Sequence, residues 1–594
     1  MNSSANQENN SSSSNISIKD FKIHLLHSEI IQSVKDNLVT FISSKTGSGK
    51  STQVPQYLYN YLLNDKKKDN FCIICTEPRS IACSNIANFI KISNRNIKNI
   101  NIYTDRDQYF EKIKNYLLYI KESDLLFLLR KDPYLRFCDI LIIDEVHERT
   151  MKLDLLLYYL KHFTLSENNK KKDFRLVLMS ATFNTDDIHN YFSSINNKNI
   201  TFGFINQTES NENLREDNYD IYYTNSINNF LHSENTKFNE LNIKKILREI
   251  SKIVRFEVYL DNYNKKTILI FLPDYKSIYS LYDMLNKEYK GFINIFQFIS
   301  AVGIRQQKDL FRQLRSNSNN KKEIICNVVL STNLAETCLT FPNCDVVIDS
   351  GLKKNCKYNY DSNIYEEVIE YISQDSCIQR AGRCGRDQIR GKCYRLFSED
   401  FYNLMDKYRK PEIEIGNIDL ILLRLFENED IIRHATNEVK EKGYLDFLSS
   451  IEKDKYNKII GKLIQYNAIE KKENEDFGKI TKFGDWIKKA NIDIELGYYF
   501  DKFKGKYSEY LKKEVVFKFL TIISTSDNYN CELFYSDIDP DWFKLILLDN
   551  KKENNKKLVD FAENVTKNII NKALIKFKKD NKDENKNDYN NEIE

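Results

Sequence analysis

Ser44-Lys45-Thr46-Gly47-Ser48-Gly49-Lys50-Ser51-Thr52-Gln53 follows the β-like run Leu38-Val39-Thr40-Phe41-Ile42 and leads into a helical pattern from Thr52 to Leu63. Strand, glycine-rich loop and helix in that order make a phosphate cradle. The helix N-terminus aims unpaired backbone N–H groups at an anion, and a lysine adds charge. The motif Gly-x-x-x-x-Gly-Lys-Ser/Thr calls for Gly where this chain has Ser44. Gly47, Gly49, Lys50 and Ser51 supply most of the phosphate contacts, so Ser44 reads as a small strain at the turn. Lys45, Thr46, Ser48 and Thr52 complete the nucleotide-facing loop. Further along, Leu141-Ile142-Ile143 runs into Asp144-Glu145-Val146-His147-Glu148-Arg149. An apolar strand ending in adjacent carboxylates is the second half of such a site. Ser51 and Asp144, with Glu145 beside them, would hold Mg²⁺, and Glu145 would orient or deprotonate the attacking water. The implied chemistry is hydrolysis of a nucleoside triphosphate.

The 594 residues suffice for three or four domains, and 41% hydrophobic content fits a globular chain. A net charge of +4 is small for this length, so any nucleic-acid surface must be local. Twelve cysteines are scattered, and the one close pair, Cys72-x-x-Cys75, lies in the strand-like run from Phe71. With no second pair to complete a zinc site, it reads as core packing, and the scatter suits a reducing, intracellular compartment. No apolar run approaches membrane-spanning length and the N-terminus is polar, so no signal peptide or membrane association is expected.

Residues 1–17 are Ser/Asn-rich and read as a disordered tail. From 18 to 204, strands at 38–43, 71–75, 139–143 and 175–179 alternate with helices, the pattern of a parallel sheet in an α/β domain. Residues 205–265 include a polar connection with one strand, Tyr219 to Tyr223. A second α/β series runs to 410. Helical periodicity dominates afterwards, and 576–594 read as a second disordered tail.

The order of segments resembles a DEAH-box RNA helicase of the DEAH/RHA type, superfamily 2. The carrying stretches are the phosphate loop, Thr76-Glu77-Pro78-Arg79, Asp144-Glu145-Val146-His147, Ser180-Ala181-Thr182, Ser331-Thr332-Asn333-Leu334-Ala335-Glu336-Thr337, Val347-Ile348-Asp349-Ser350-Gly351 and Gln379-Arg380-Ala381-Gly382-Arg383-Cys384-Gly385-Arg386. The resemblance implies two RecA-like domains, then a winged helix over 411–470 and a ratchet-like helical region over 471–575, with the usual OB-fold absent. It implies an ATP-dependent, Mg²⁺-requiring helicase moving 3′ to 5′ on single-stranded RNA. Gln379 would orient water, and Arg383 and Arg386 would act as arginine fingers on the γ-phosphate. His147 would bond across the lobes, and Ser180 and Thr182 would couple the lobes. Arg79, Thr332, Asn333 and Thr337 would grip RNA, and Asp349 would lie at the nucleotide.

Departures from the family pattern carry their own expectations. Glu77 and Ser80 replace a Gln and an Arg, which would put an anion beside the RNA path, and Lys121-Glu122-Ser123 stands where the family has Thr-Asp-Gly. Position counting puts Phe89 and Phe311 on the two faces of the base, and Gln32 is the one Gln upstream of the loop, without the aromatic setting of an adenine-reading Gln. ATP with other triphosphates accepted is the expected substrate. RNA is the expected partner, with a tethering or activating protein such as a G-patch-type factor. Splicing, ribosome biogenesis and viral transcription remain open as pathways. The nucleus is the expected location, with cytoplasm or a viral compartment left open. The rivals are an RNA-stimulated NTPase that does not unwind and a nucleotide-gated RNP assembly factor.

Overall fold

Runs of Ile, Val, Leu and aromatic residues bounded by polar turns form two parallel sheets, each covered by helices, as alternating strand and helix patterns require. The structure is a computed structural model. It describes residues 22–501 except 45–47, 65–69, 79, 95–96, 98, 103–114, 167–172, 181–184, 196–199, 207–218, 225–239, 261–265, 300–309, 311, 315–325, 338–343, 361–363, 386–389, 472–477, 491–492, 496 and 499–500. Both expected tails and most of the expected ratchet region lie outside the described residues.

The first sheet contains β1 (Val39–Ser43), β2 (Cys72–Glu77), β3 (Ile100–Ile102), β4 (Tyr116–Lys121), β5 (Ile140–Ile143), β6 (Arg175–Ser180) and β7 (Phe202–Asn206). Their order is β3-β4-β2-β5-β6-β1-β7, with every neighbouring pair parallel. β7 carries this sheet past the expected boundary at 204. Thr76 of β2 stands opposite Ile143 of β5, and Ser43 of β1 opposite Ser180 of β6. The chain therefore leaves four central strands along one edge, at Ser44, Glu77, Asp144 and after Ser180. Cys72 and Cys75 are buried in β2, and no described cysteine forms a disulfide.

The helix Lys50–Asn64 contains Pro55, which has no N–H for the carbonyl of Ser51 four residues earlier. The hydroxyl of Tyr119, fully buried on β4, donates to that carbonyl at 3.2 Å. A missing helix bond is thus replaced from the sheet, which fixes the first turn of the helix where Lys50 and Ser51 sit.

The second sheet contains β8 (Tyr219–Tyr223), β9 (Lys266–Phe271), β10 (Ile293–Phe298), β11 (Cys326–Ser331), β12 (Cys344–Asp349) and β15 (Gly391–Arg395) in the order β10-β11-β9-β12-β15-β8. β13 (Leu352–Asn359) and β14 (Ile364–Tyr371) form a separate pair. The strand Tyr219–Tyr223, expected inside a connection, is the edge of this sheet and runs parallel to β15. The helix Glu240–Leu260 is tied to the sheet by Glu257, which is fully buried and takes Lys266 Nζ at 3.0 Å and Lys392 Nζ at 3.1 Å. Burial pushes this carboxyl up, but bonds from Tyr394, Lys266 and Lys392 outweigh it and hold the group below its ordinary range.

The chain divides into two units. Met1–Lys353, Ile369–Glu412 and Phe447–Ser449 form one, which holds both sheets. Lys354–Val368, Ile413–Asp446 and Ser450–Glu594 form the other. Its described part holds most of β13 and β14 and is otherwise helical, with short antiparallel pairs at Tyr444–Leu445 with Ile451–Glu452 and Ile469–Glu470 with Lys479–Ile480. Its helix Glu429–Lys442 is framed by an Asn428 N-cap and by Gly443 at φ +81°, the left-handed residue that ends many helices.

Gly391 opens β15 against the arginine-bearing turn. A Cβ there would lie 2.6 Å from the backbone N of Gly385 and 2.8 Å from Cys384 Sγ. Gly385 itself stands at φ +72°, so that turn cannot yield freely. Gly391→Ala should cost about 1–3 kcal/mol as an overpacked contact and lower nucleotide turnover by displacing Arg383. Urea titration and an ATPase assay of the purified variant measure both; an unchanged midpoint would show that the turn has room.

Candidate active site

Ser44 leaves β1 fully buried, and its backbone N–H donates to the Ser180 carbonyl at 3.1 Å. Its hydroxyl and that of Ser48 are 2.8 Å apart across the loop. Ser44 does not have a positive φ. The strain expected from the missing glycine is therefore absent: the serine side chain is held by a hydroxyl pair inside the loop. Gly49, at φ +94°, makes the turn into the helix, and Lys50 is buried at the first helical position. Lys45, Thr46 and Gly47 lie outside the described residues.

Beyond β5 the chain turns sharply, with Glu145 at φ +53° and Arg149 at φ +46° on either side of a short 3₁₀ turn. For a residue with a side chain these left-handed conformations carry strain, the kind stored where geometry is functional. Asp144 is buried, and its Oδ1 accepts from the Glu145 N–H at 2.8 Å. Its Oδ2 is buried with no hydrogen-bond partner among the described residues. Burial, and then the Glu145 charge, push the Asp144 carboxyl up to about 6 against the pull of Lys50 and the Ser51 hydroxyl. Burial also raises Glu145, but Lys50, His147, Arg383 and Arg409 together hold it below its ordinary range. An unsatisfied buried carboxylate oxygen on Asp144, with the Ser51 hydroxyl at the same group, is a donor set that suits a hard divalent cation.

Glu77 ends β2 one position beyond the Thr76–Ile143 pair, beside Asp144. It is 4% exposed and its Oε1 has no hydrogen-bond partner among the described residues. This overturns the placement of Glu77 at the RNA path: parallel register points it at the nucleotide edge, next to Asp144 and Lys50. Burial first, then Asp144 and Glu145, push its carboxyl well above the ordinary glutamate range. Glu122 is likewise buried and accepts the Thr150 hydroxyl at 2.7 Å, with burial raising it to about 7. It too is a packing and hydrogen-bonding group and not a surface anion.

The second lobe meets this edge through the helix Gln374–Ala381. Gln379 Nε2 lies 2.8 Å from His147 Nε2, and His147 Nδ1 lies 3.0 Å from Ser180 Oγ and 3.4 Å from Glu145 Oε2. Burial, the largest cause, lowers the His147 pKa to about 4, so the ring is neutral at physiological pH. Gln379 Oε1 accepts from Arg409 Nη2 at 2.7 Å. The Gln379 amide thus has a partner at each end and ties the second lobe to His147. Arg383 is buried, and its Nε donates to the Gln379 carbonyl at 3.3 Å. Its charge reaches Glu145 across the gap.

Asp349, expected at the nucleotide, is fully buried in the second lobe. It accepts from Arg380 Nη1 and from the Gly351 N–H, each at 2.8 Å. Arg380 also binds Glu336 at 3.1 Å and packs over the Phe271 ring, so the pair is a buried scaffold under the Gln379 helix. Phe89 is half-buried and packs against the first-lobe core. Thr332 is half-buried and Asn333 exposed at the end of β11, and Thr337 closes the short helix Leu334–Thr337. Gln32 is exposed and donates to Asp36 at 2.6 Å. Arg79, Thr182, Phe311 and Arg386 lie outside the described residues. Sequence reading missed Arg409 and Glu336. Glu336 sits within a quoted motif, whereas Tyr408-Arg409-Lys410 carries no local signal at all.

Two parallel-sheet lobes, with a phosphate loop and paired carboxylates in one and a buried arginine-bearing helix in the other, make up the two-lobed arrangement of a helicase-type nucleotide site. Comparisons with known proteins narrow the class. The DEAD/DEAH box helicase model matches residues 25–191, and the helicase conserved C-terminal domain model matches 247–388. The chain is 30% identical over 441 residues to the ATP-dependent RNA helicase HrpA of Borreliella burgdorferi, covering 73% of this chain and 47% of that protein. It is 26% identical over 525 residues to the human ATP-dependent DNA/RNA helicase DHX36, covering 80% of this chain and 49% of that protein. The crystal structure of the Escherichia coli DEAH/RHA helicase HrpB superposes with a TM-score of 0.62 at 18% identity, over 90% of this chain and 59% of that one, which is a likeness of fold. The chain carries a DEAD/DEAH box helicase domain and a helicase conserved C-terminal domain, and it is similar to proteins named as ATP-dependent RNA helicases. It spans about half the length of HrpA and DHX36.

The raised Glu77 carboxyl has a consequence for stability. A carboxylate whose folded pKa lies above its unfolded value favours folding at low pH, and that contribution is lost as pH rises through the ordinary glutamate range towards the folded value. Glu77→Gln removes the penalty. The nucleotide-free variant should melt higher than the parent at pH 8, with the gap closing towards pH 4. Calorimetry at both pH values checks this; an equal or lower melting point at pH 8 would mean that Lys50 satisfies Glu77 in the folded protein.

Proposed function

We propose that this protein hydrolyses ATP with Mg²⁺ and uses the cycle to move 3′ to 5′ along single-stranded RNA, remodelling RNA or ribonucleoprotein. The observation that carries the reading is the Gln379–His147 bond, which ties the second lobe to the strand end holding Asp144 and Glu145. Lobe apposition and the hydrolytic carboxylates are thereby one mechanical unit, as a motor requires. Ser51 and Asp144 would hold the metal, which would neutralise charge on the phosphates. Lys50 would bind the phosphates, Glu145 would accept the proton of the attacking water, and Arg383 would stabilise charge from the opposite lobe. Polarity of movement, the RNA grip by Arg79, Thr332, Asn333 and Thr337, and a G-patch-type activator rest on likeness to the family. Pre-mRNA splicing or ribosome biogenesis is the setting this reading favours, with the nucleus as location.

An RNA-stimulated NTPase that does not unwind is the second reading, and Ser80 in place of an arginine favours it, since one cation is lost. Unwinding of a 3′-tailed duplex separates the two. In either case Glu145→Gln should keep ATP binding and abolish turnover, whereas Lys50→Ala should weaken binding as well. Equilibrium binding of a fluorescent ATP analogue, beside phosphate release, reads both; near-normal release from Glu145→Gln would remove the proton-acceptor assignment.

Base choice follows from what faces the base. Gln32 is committed to Asp36 on an exposed helix face, so it does not read a base edge. A site that stacks a base without bonding its edge discriminates weakly. GTP, CTP and UTP should be hydrolysed within about tenfold of ATP in kcat/KM. A strict preference for ATP in parallel steady-state assays would show an edge contact elsewhere in the chain.

A further inference from the structure

Hydrogen-bond direction can be worked out along the chain of groups that joins the lobes. Arginine has only donors, so Gln379 Oε1, 2.7 Å from Arg409 Nη2, is an acceptor. The other end of the same amide must then be the NH₂ group, and it donates to His147 Nε2 at 2.8 Å. An imidazole nitrogen that accepts carries no proton, so in the neutral ring the proton is on Nδ1. Nδ1–H faces Ser180 Oγ at 3.0 Å and Glu145 Oε2 at 3.4 Å. Amide and ring orientations are ordinarily open to choice, but a donor-only guanidinium at the head of the chain removes the choice.

We propose that Arg409 is a positioning residue for hydrolysis: it sets the direction of the hydrogen bonds Arg409→Gln379→His147, so that His147 presents Nδ1–H towards Ser180 and Glu145. Arg409 is itself held rigidly. It pairs with the buried Glu336, its Nε donates to Ser376 Oγ at 3.0 Å, and Asp375 lies 3.7 Å away. Glu336 is in turn shared with Arg380, which anchors to Asp349. The second lobe's ionic scaffold thus dictates the tautomer of a first-lobe histidine beside the proton-accepting carboxylate. Separation of the lobes breaks the Gln379–His147 link and frees the ring to take either tautomer, so the donor is fixed on Nδ1 only in the apposed state. The inference rests on the NTPase reading for its consequence, but not for its geometry.

The test uses the full chain labelled with ¹⁵N-histidine; His147 is picked out from the seven histidines by loss of its signal in His147→Gln. In the parent, Nδ1 should be protonated and Nε2 unprotonated. Gln379→Glu keeps the side-chain size and the bond to Arg409 but leaves only acceptors, so Nε2 should gain a proton. Arg409→Met should give mixed tautomers and lower kcat about tenfold, the order of one lost charge-assisted hydrogen bond, with KM for ATP within about twofold. Arg409→Lys, which keeps the charge and a donor, should restore the parent tautomer even where Arg409→Met fails to fold. A parent ring carrying its proton on Nε2, or an unprotonated Nε2 in Gln379→Glu, would overturn the proposal. A parent protein without nucleotide turnover would sink the NTPase reading and leave the tautomer measurement standing.

Discussion

Parallel pairing forces the carboxyl ends of β1, β2, β5 and β6 onto one edge, and the chemistry of the first lobe depends on that constraint. The edge collects Ser44, Glu77, Asp144 and Ser180, each at a strand end and each buried. None of these groups could gather by local propensity. The phosphate loop, the carboxylate pair and the serine that meets His147 become neighbours because their strands are in register. Pro55 and Tyr119 show how closely sheet and helix cooperate: the hydroxyl from β4 satisfies the carbonyl that proline leaves open, at the residue that would hold the metal.

The electrostatics of the edge is arranged as an incomplete balance. Three carboxyl groups, the buried Glu77 and Asp144 and the half-buried Glu145, face the lysine of the phosphate loop, and each has an oxygen without a hydrogen-bond partner among the described residues. Taking a carboxylate out of water is costly unless a partner is present. An excess of buried negative charge therefore favours arrival of cations, from a metal or from the arginines of the other lobe. Glu145 is drawn below its ordinary range by Lys50, His147, Arg383 and Arg409 despite its burial, while Asp144 and Glu77 are pushed up. Neighbouring carboxyls with pKa values pushed apart are the usual mark of divided labour, one ionised for proton transfer and one waiting for a counter-charge.

The second lobe answers with a different design. Its ionic groups are paired, the buried Arg380 with Asp349 and Glu336, and the half-buried Arg409 with Glu336. Such pairs contribute little net stability, but they fix geometry, since breaking one leaves a buried charge. Here they hold the helix Gln374–Ala381 so that Gln379 reaches His147. Asp349 and the Gln379 amide therefore also serve as supports for this arrangement.

The phosphate loop, the Asp144–Glu145 pair and the two α/β series were legible in the sequence because they are local. A glycine-rich turn, an apolar run ending in acids and a strand–helix alternation each follow from neighbours along the chain. Even the departure at Ser44 was visible, although its outcome was not: whether a serine strains a turn or closes it with a hydroxyl pair depends on where Ser48 stands. Glu77 was misplaced for the same reason, since its direction is set by the β2–β5 register. Glu122 needed Thr150 to be seen as satisfied. Arg409 could not be found at all, because Tyr408-Arg409-Lys410 has no pattern and its meaning comes from Gln379 and Glu336, far away in sequence. What the sequence alone determined was the chemistry available to each segment. Which of those groups share a desolvated edge, and in which direction their hydrogen bonds run, was decided only by strand register and lobe apposition, because both depend on contacts between segments distant in the chain.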